Sequence, residues 1–487
     1  MSAFSVRDAP FGQFCRLVLG PLVFLYPDEK AGFQYEAPEE TPVEVPTPQA
    51  NSSSTDTDAD VEKAEPVSSL GQSKPGYQTV SWYGETDPEN LQMWSLAKNI
   101  ITFSQICLLT FSVYCGSAII TSAQPTFVEV FSVNVQESSL ALSMYVLGYG
   151  IGPLFFSPLS EIPAVGRNIP YFVSFTLFII ITAVTSRVSN FAGLVVLRLI
   201  QGLLGGPVLA TGGASAADIL SFPKIPYETN ADFILLNRAK RLRKSTGNEN
   251  LRSDSEIKQG NIHFMSLLGG YLTTPFLVTM RDPSIAFINV YTGLIYGIFY
   301  SYFESFPIVY TQIHGFSMGI MGAIFLLLLR AGRYLALVKL HYEPYTYQNG
   351  IGSPEHRLLP AVFAALIAPC GILIFAWTSR DWINWVVPTI GIVLYMSCVF
   401  VITMCIFIYL PISYPRYAAS LFAANSFLRS AVACAAIHFS QPLFTNLGIG
   451  KGCSVLAGLT WACFVGILVL WKYGDKLRAR STFAQVY

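Results

Sequence analysis

The sequence predicts an all-α membrane protein of about ten transmembrane helices, set in two unequal bundles, and three observations carry that expectation. Of 487 residues, 52% are hydrophobic and only 12% charged, about half the charge fraction of a soluble domain. The charges cluster, leaving neutral runs close to the roughly 20 apolar residues that a helix needs to cross a bilayer. Eight basic residues, Lys224, Arg238, Lys240, Arg241, Arg243, Lys244, Arg252 and Lys258, crowd the stretch 219–258. Four neutral runs precede it and six follow. Because Lys and Arg near span ends stay on the cytoplasmic side, this stretch sets the orientation and divides the chain.

Taken in order, residues 1–97 read as a cytoplasmic, largely disordered acidic tail. Between 28 and 90, fourteen Asp and Glu stand against three lysines, with little to bury. The apolar run 17–26 is too short to span, and no small-residue cleavage site follows it. Residues 98–218 form an N-terminal bundle with four spans, at about 100–122, 138–158, 167–187 and 191–213. Residues 219–284 are a basic cytoplasmic central loop. Within it 262–280 is uncharged, but Gly269, Gly270, Pro275 and His263 weaken a spanning reading. A crossing there would also put Lys472, Lys476, Arg478 and Arg480 outside, against the positive-inside bias; an interfacial helix is expected. Residues 285–473 form a C-terminal bundle of six spans. Two lie within 285–329, parted by a polar turn from Thr311 to Gly315, and four fit about 358–378, 385–411, 419–445 and 452–471. Residues 474–487 are a cytoplasmic tail. Ten spans put both termini in the cytoplasm.

Nine cysteines form no C-x-x-C pair, and most sit in apolar runs, where cysteine behaves as a small hydrophobe. No metal, cofactor or disulfide framework is expected. The chain shows no clustered His/Asp/Cys set, phosphate-cradling glycine loop or nucleophile motif, so an enzyme is not expected, nor a nucleic-acid partner. Inside the spans, Arg198 is costly in hydrocarbon and should face a polar interior. Glu304 lies among Tyr296, Tyr300, Tyr302 and Phe303. It can carry a proton or pair with a cation, or serve as a structural acid near the extracellular mouth. Asn425 and Arg429, four apart, share a helix face and are expected to bind Glu161 or helix ends. His438 reads as a satisfied polar group.

A run of motifs then points to a family. Gly148-Tyr149-Gly150-Ile151-Gly152-Pro153-Leu154 continues through Ser157-Pro158-Leu159-Ser160-Glu161 to Gly166-Arg167. This resembles the loop signature between spans two and three of the major facilitator superfamily, in the form common to fungal drug:proton antiporters. Arg198-Leu199-Ile200-Gln201-Gly202 is similar to that family's span-four motif. Tyr414-Pro415-Arg416, followed by Asn425 and Arg429, resembles its span eleven.

The resemblance implies a two-bundle carrier, a monomer, at the fungal plasma membrane. It would export small hydrophobic or cationic compounds in exchange for protons. It also implies site roles: proton coupling by Arg198, Gln201 and Glu304, and a substrate cavity lined by Gln105, Tyr296, Tyr300, Tyr302, Phe303 and Asn425. A gate or loop latch would comprise Gly152, Pro153, Glu161, Gly166, Arg167 and Arg429. Small molecules, protons and the bilayer are the expected partners. The family has twelve spans, however, and here its fifth and sixth, due after Asp218, are missing. The N-terminal bundle is therefore incomplete. An inactive carrier and an uptake facilitator remain as rival readings.

Overall fold

The computed structural model describes residues 29, 78–80, 96–162, 165, 168–219, 229–259, 264–317, 319–320, 354–414 and 418–479. These fall into two compact units, one of 96–227 with 262–487 and a smaller one of 1–95 with 228–261.

The larger unit is helical. It runs through α1 (Leu96–Ala118), α2 (Gln124–Phe131), α3 (Leu140–Glu161), α4 (Asn168–Thr185) and α5 (Phe191–Ile219). After the smaller unit's segment come α7 (Phe264–Arg281), α8 (Pro283–Glu304), α9 (Leu359–Thr378), α10 (Val386–Ser413) and α11 (Ala418–Ala479). Among the described residues, seven helical stretches are long and apolar enough to cross a membrane. One of them, within α11, is two helices joined at Gly448, whose φ of 74° is the left-handed conformation that glycine tolerates. The apolar part of α4, Ile169–Thr185, is shorter. Nine of the ten expected spans thus have a helix where the neutral windows placed them. The tenth, following the turn near Thr311, lies outside the described residues, as do most of the acidic tail, Gly166, Arg167 and the side chain of Glu161.

Local chemistry explains where helices begin. A one-turn helix, Val135–Ser138, precedes α3 and carries a capping box in which Asn134 and Glu137 satisfy each other's backbone N–H groups. Helix α8 starts at Pro283, whose missing N–H costs nothing there. The Asp282 carboxylate accepts from the N–H groups of Ser284 at 2.8 Å and Ile285 at 3.3 Å. Leu108, Phe111, Phe172, Ile179 and Val196 stay exposed on α1, α4 and α5, the lipid-facing side of a membrane bundle.

The C-terminal half has a large apolar core spanning α8 to α11. At its centre Tyr302 packs edge-on against Phe306, Phe375 and Tyr395, with ring centroids 4.9 to 5.1 Å away. Its expected terminus is tied down. Arg478 near the end of α11 grips Glu355 bidentately at 2.8 and 3.0 Å, just before α9. Helix α7 packs against α3, α8 and α11. The segment from Ile262 therefore belongs with the helices rather than with the basic stretch.

The smaller unit adds structure inside two of the expected stretches. The stretch expected as a loop contains an 18-residue helix, α6 (Thr229–Thr246). Strand β1 (Gln78–Thr79), inside the expected disordered tail, pairs in parallel with β2 (Leu251–Arg252). Val80, Ala239, Leu242 and Leu251 close over each other. Four apolar residues at the right places suffice for a small cluster even in a charged segment. Arg243 braces it by donating to Leu251 O at 2.9 Å and to both Glu256 oxygens at 2.8 and 2.9 Å.

Burial alone would raise the Glu256 carboxyl, but the Arg243 guanidinium and the Ser253 backbone N–H outweigh it and hold the group below its ordinary range. A depressed carboxylate stabilises the fold above the unfolded pKa, and that contribution is lost as pH falls through the depressed value. Glu256→Gln should speed amide exchange at 251–257 about two- to fivefold at neutral pH, the range for a partly exposed pair. The two rates should converge below about pH 4. Hydrogen–deuterium exchange read by mass spectrometry checks both; equal rates at neutral pH would contradict the bracing role.

Candidate functional site

Alternating glycines let α3 approach a different helix on each side. A Cβ built on Gly148 or Gly152 would lie 2.2 Å from the carbonyl oxygens of Leu199 and Leu203 on α5. Gly202 and Gly206 on α5 return the contact against Tyr145 and Tyr149 of α3. Side chains four apart share a helix face, whereas one two places away points nearly opposite. Gly150 accordingly faces the other half, and a Cβ there would lie 2.3 Å from Ser430 Cβ on α11. Such backbone approach through small residues is the usual glue of membrane helices.

Tyr149, between these glycines, is fully buried and points to where the halves meet. Its hydroxyl shares hydrogen bonds of 2.9 Å with Tyr296 and with Tyr300 of α8. Ser143, six residues earlier on α3, meets His438 Nε2 of α11 at 2.9 Å. Beside the tyrosines is a small cavity walled by Tyr291, Thr292, Ile295 and Tyr296 of α8, Ile402, Thr403, Ile406 and Phe407 of α10, and Asn425 and Arg429 of α11. The Asn425 amide donates to Asn289 Oδ1 at 3.0 Å and to Thr292 Oγ1. The Arg429 guanidinium lies 4.4 Å above the Tyr296 ring. Its apolar walls and few convergent polar groups are those of a small-molecule site, but the space they enclose is about the size of one water.

Arg198 has a different place. It is 3% exposed and buried inside the N-terminal helices. It donates to Ala141 O at 3.1 Å, Gln201 Oε1 at 2.9 Å, Gly116 O at 3.0 Å and Ser117 O at 3.5 Å. Its planar group also covers the Tyr145 ring at 4.2 Å. Gln201 passes the chain on to the Thr182 hydroxyl at 2.6 Å. This clasp joins α5 to α1, α3 and α4.

Comparison with known proteins now bears on the identity. A family model described as Major Facilitator Superfamily matches residues 106–225. The MFS-type transporter pyvG of Aspergillus violaceofuscus is 36% identical, over 99% of this chain and 99% of that protein. The chain belongs to the major facilitator superfamily. The cycloheximide resistance protein of Candida maltosa is 33% identical over 99% of this chain and all of that protein. Fluconazole resistance protein 1 of Saccharomyces cerevisiae is 32% identical over 83% of this chain and 85% of that protein.

The superfamily relatives also measure what is missing. The alignment with pyvG runs over 545 positions against 487 residues here, so at least 58 positions of it have no counterpart in this chain. That is about the length of two spanning helices of roughly 20 residues each with a connecting loop.

Within this facilitator fold the expected site residues separate. Tyr296 and Asn425 line the cavity, and Tyr300 joins Tyr296 through Tyr149. Tyr302 does not: it is fully buried in the C-terminal core, because two positions along α8 turn it away from Tyr300. Phe303 packs against that same core, and Gln105 is exposed on α1. Arg429 stands in the cavity wall; the side chain of Glu161, its expected latch partner, lies outside the described residues. Gly152 and Pro153 serve the α3–α5 crossing, with Pro153 Cδ close to Gly206. Glu304, at the end of α8, is half-buried. Sequence reasoning missed Tyr149, Asn289 and Thr292; the only signal was a tyrosine flanked by glycines at 148 and 150.

Because Arg198 satisfies four acceptors at once, its replacement should act on stability. Arg198→Ala should cost about 1.5–3 kcal/mol, the value of charge-assisted hydrogen bonds. Arg198→Lys should fall between, keeping the charge without the fork. Thermal unfolding of the purified protein checks this, and unchanged unfolding of Arg198→Ala would contradict it.

Proposed function

We propose that this chain carries the substrate site of a proton-coupled exporter of small hydrophobic compounds, acting as a monomer at the fungal plasma membrane. The observation that carries the reading is the hydroxyl contact at the junction of the halves, where Tyr149 of one half meets Tyr296 and Tyr300 of the other, beside a small cavity walled by α8, α10 and α11. Alternating access rocks one bundle against the other about such a site. Hydroxyl contacts and close glycine packing can be broken and remade without stranding a charge in lipid. Relatives named for cycloheximide and fluconazole resistance support the same substrate class.

Proton coupling is assigned to Arg198, Gln201 and Glu304. Arg198 and Gln201 would act through the hydrogen-bonded clasp of the N-terminal helices, and Glu304 as the ionisable group at the outer end of α8. A second reading, a carrier that has lost its cycle, is favoured by the 58 or more positions without counterpart. Helices absent from one bundle leave its neighbours without cover.

Both readings are tested in a yeast strain lacking its own pumps, by comparing the chain as it stands with one given two helices after Asp218 from a relative. The restored chain should lower intracellular cycloheximide severalfold, an effect abolished by a protonophore. The shorter chain should stay in the endoplasmic reticulum and confer no resistance. Absence of efflux from a restored chain at the cell surface would refute the export reading. Accumulation instead of depletion would establish uptake.

A further inference from the structure

The last turn of α6 pairs a charge pattern with an exposed hydroxyl. Arg241-Leu242-Arg243-Lys244-Ser245-Thr246 sets arginines three and five residues before a threonine, with a lysine two before it. Basophilic serine/threonine kinases choose their substrates by such patterns of positive charge. Lys240, Lys244, Ser245 and Thr246 are all exposed. Thr246 is the final residue of α6, and Gly247 after it has a φ of 70°. The acceptor therefore sits where a helix ends, so a single turn has to open for this segment to lie extended in a kinase cleft.

The same hydroxyl holds the turn that follows. It donates to Leu242 O at 2.7 Å and accepts from the Asn248 N–H at 3.3 Å. Asn248 Oδ1 in turn accepts from the Asn250 N–H at 3.0 Å. The next two residues are β2, which pairs with Gln78–Thr79, and the Val80 N–H donates to Arg252 O at 2.9 Å. Arg243 braces this arrangement from α6 through Leu251 O and Glu256.

We propose that Thr246 is the phosphoacceptor of a basophilic kinase, and that its phosphorylation loosens the pairing of β2 with β1. The γ-phosphoryl group of ATP passes to Thr246 Oγ1. The Oγ1–P bond forms, the bond to the ADP oxygen breaks, and the hydroxyl proton goes to the kinase's base. The inference rests on the cytoplasmic side of the basic stretch, where ATP is, and that side follows from its Lys and Arg content. It is independent of what the cavity carries.

Three effects act in one direction. A phosphate ester has no hydrogen to donate, so the bond to Leu242 O is lost. A charge of about −1.5 to −2 then stands at the negative end of the α6 dipole, where it disfavours the last turn. Arg243 lies three residues earlier on the same helix face. A phosphate is a strong partner for its guanidinium, and Arg243 can turn to it only by giving up contacts to Glu256 and Leu251 O. Each loss falls on the residues that position β2, and the segment before α1 is freed from the stretch between the bundles.

The test treats the purified full chain in lipid nanodiscs with the catalytic subunit of protein kinase A and Mg-ATP. Mass spectrometry reads both the phosphopeptides and amide exchange. Thr246 should be phosphorylated in most molecules, and exchange at 78–80 and 251–253 should speed at least threefold. Thr246→Ala, given the same treatment, should show no further change in exchange at those positions. The peptide should also carry phosphate on Thr246 when the chain is isolated from yeast membranes. Phosphate on Ser245 alone, or on neither residue, would overturn the assignment, and so would an unmodified peptide from yeast. Thr246 phosphorylated with exchange unchanged would overturn the loosening. No readout here depends on transport, so a failed export reading leaves the inference standing.

Discussion

The close approach of α3 to two partners is the contact on which the rest of the molecule depends. Gly148 and Gly152 seat α3 on α5 within its own half, and Gly150, on the opposite side, seats it on α11 of the other half. Neither contact survives a side chain, since the nearest atoms are backbone carbonyls and Ser430 Cβ. With α3 pinned from both sides, the residue between them has one direction left. Tyr149 points at α8 and meets Tyr296 and Tyr300. The cavity beside those hydroxyls is thus placed by three glycines.

Hydrocarbon sets the second constraint, because polar groups there must find partners inside the protein. The structure meets it in three ways. Arg198 is absorbed into a clasp of carbonyls and Gln201 that ties four helices together. Arg478 is neutralised by acids at the edge of the bundle. Arg429 is neither absorbed nor neutralised, and it stands where the two halves face each other. The aromatic faces of Tyr296 and Phe407 hold its guanidinium.

Much of the fold was legible because charge is excluded from spans. The neutral windows located α1, α3, α4, α5, α8, α9, α10 and both arms of α11 to within a few residues. The glycine run was legible too, as a close-packing motif. Residue-level geometry was not. A pattern of aromatics on α8 cannot say which of Tyr300 and Tyr302 faces the cavity until the helix has a neighbour, and Phe375 and Tyr395 claimed Tyr302 for the core. The latch expected of Arg429 turns on Glu161, whose side chain lies outside the described residues. The pairing of Gln78–Thr79 with Leu251–Arg252 joins segments far apart in sequence, and composition said only that the first was acidic.

The alignment positions without a counterpart in this chain make the contact between the halves the claim most in need of a direct check. Ser143 and His438 lie across that contact at 2.9 Å, and Cys434 also faces Ser143. The decisive measurement is a cross-link in the full chain carrying Ser143→Cys and His438→Cys, with Cys434→Ser to remove the native competitor. Mild oxidation in isolated membranes, followed by mass spectrometry of the linked peptides, should find a disulfide between positions 143 and 438 in most molecules. If that link does not form while both thiols remain reactive, the halves do not meet along α3 and α11, and Tyr149 does not reach Tyr296 and Tyr300.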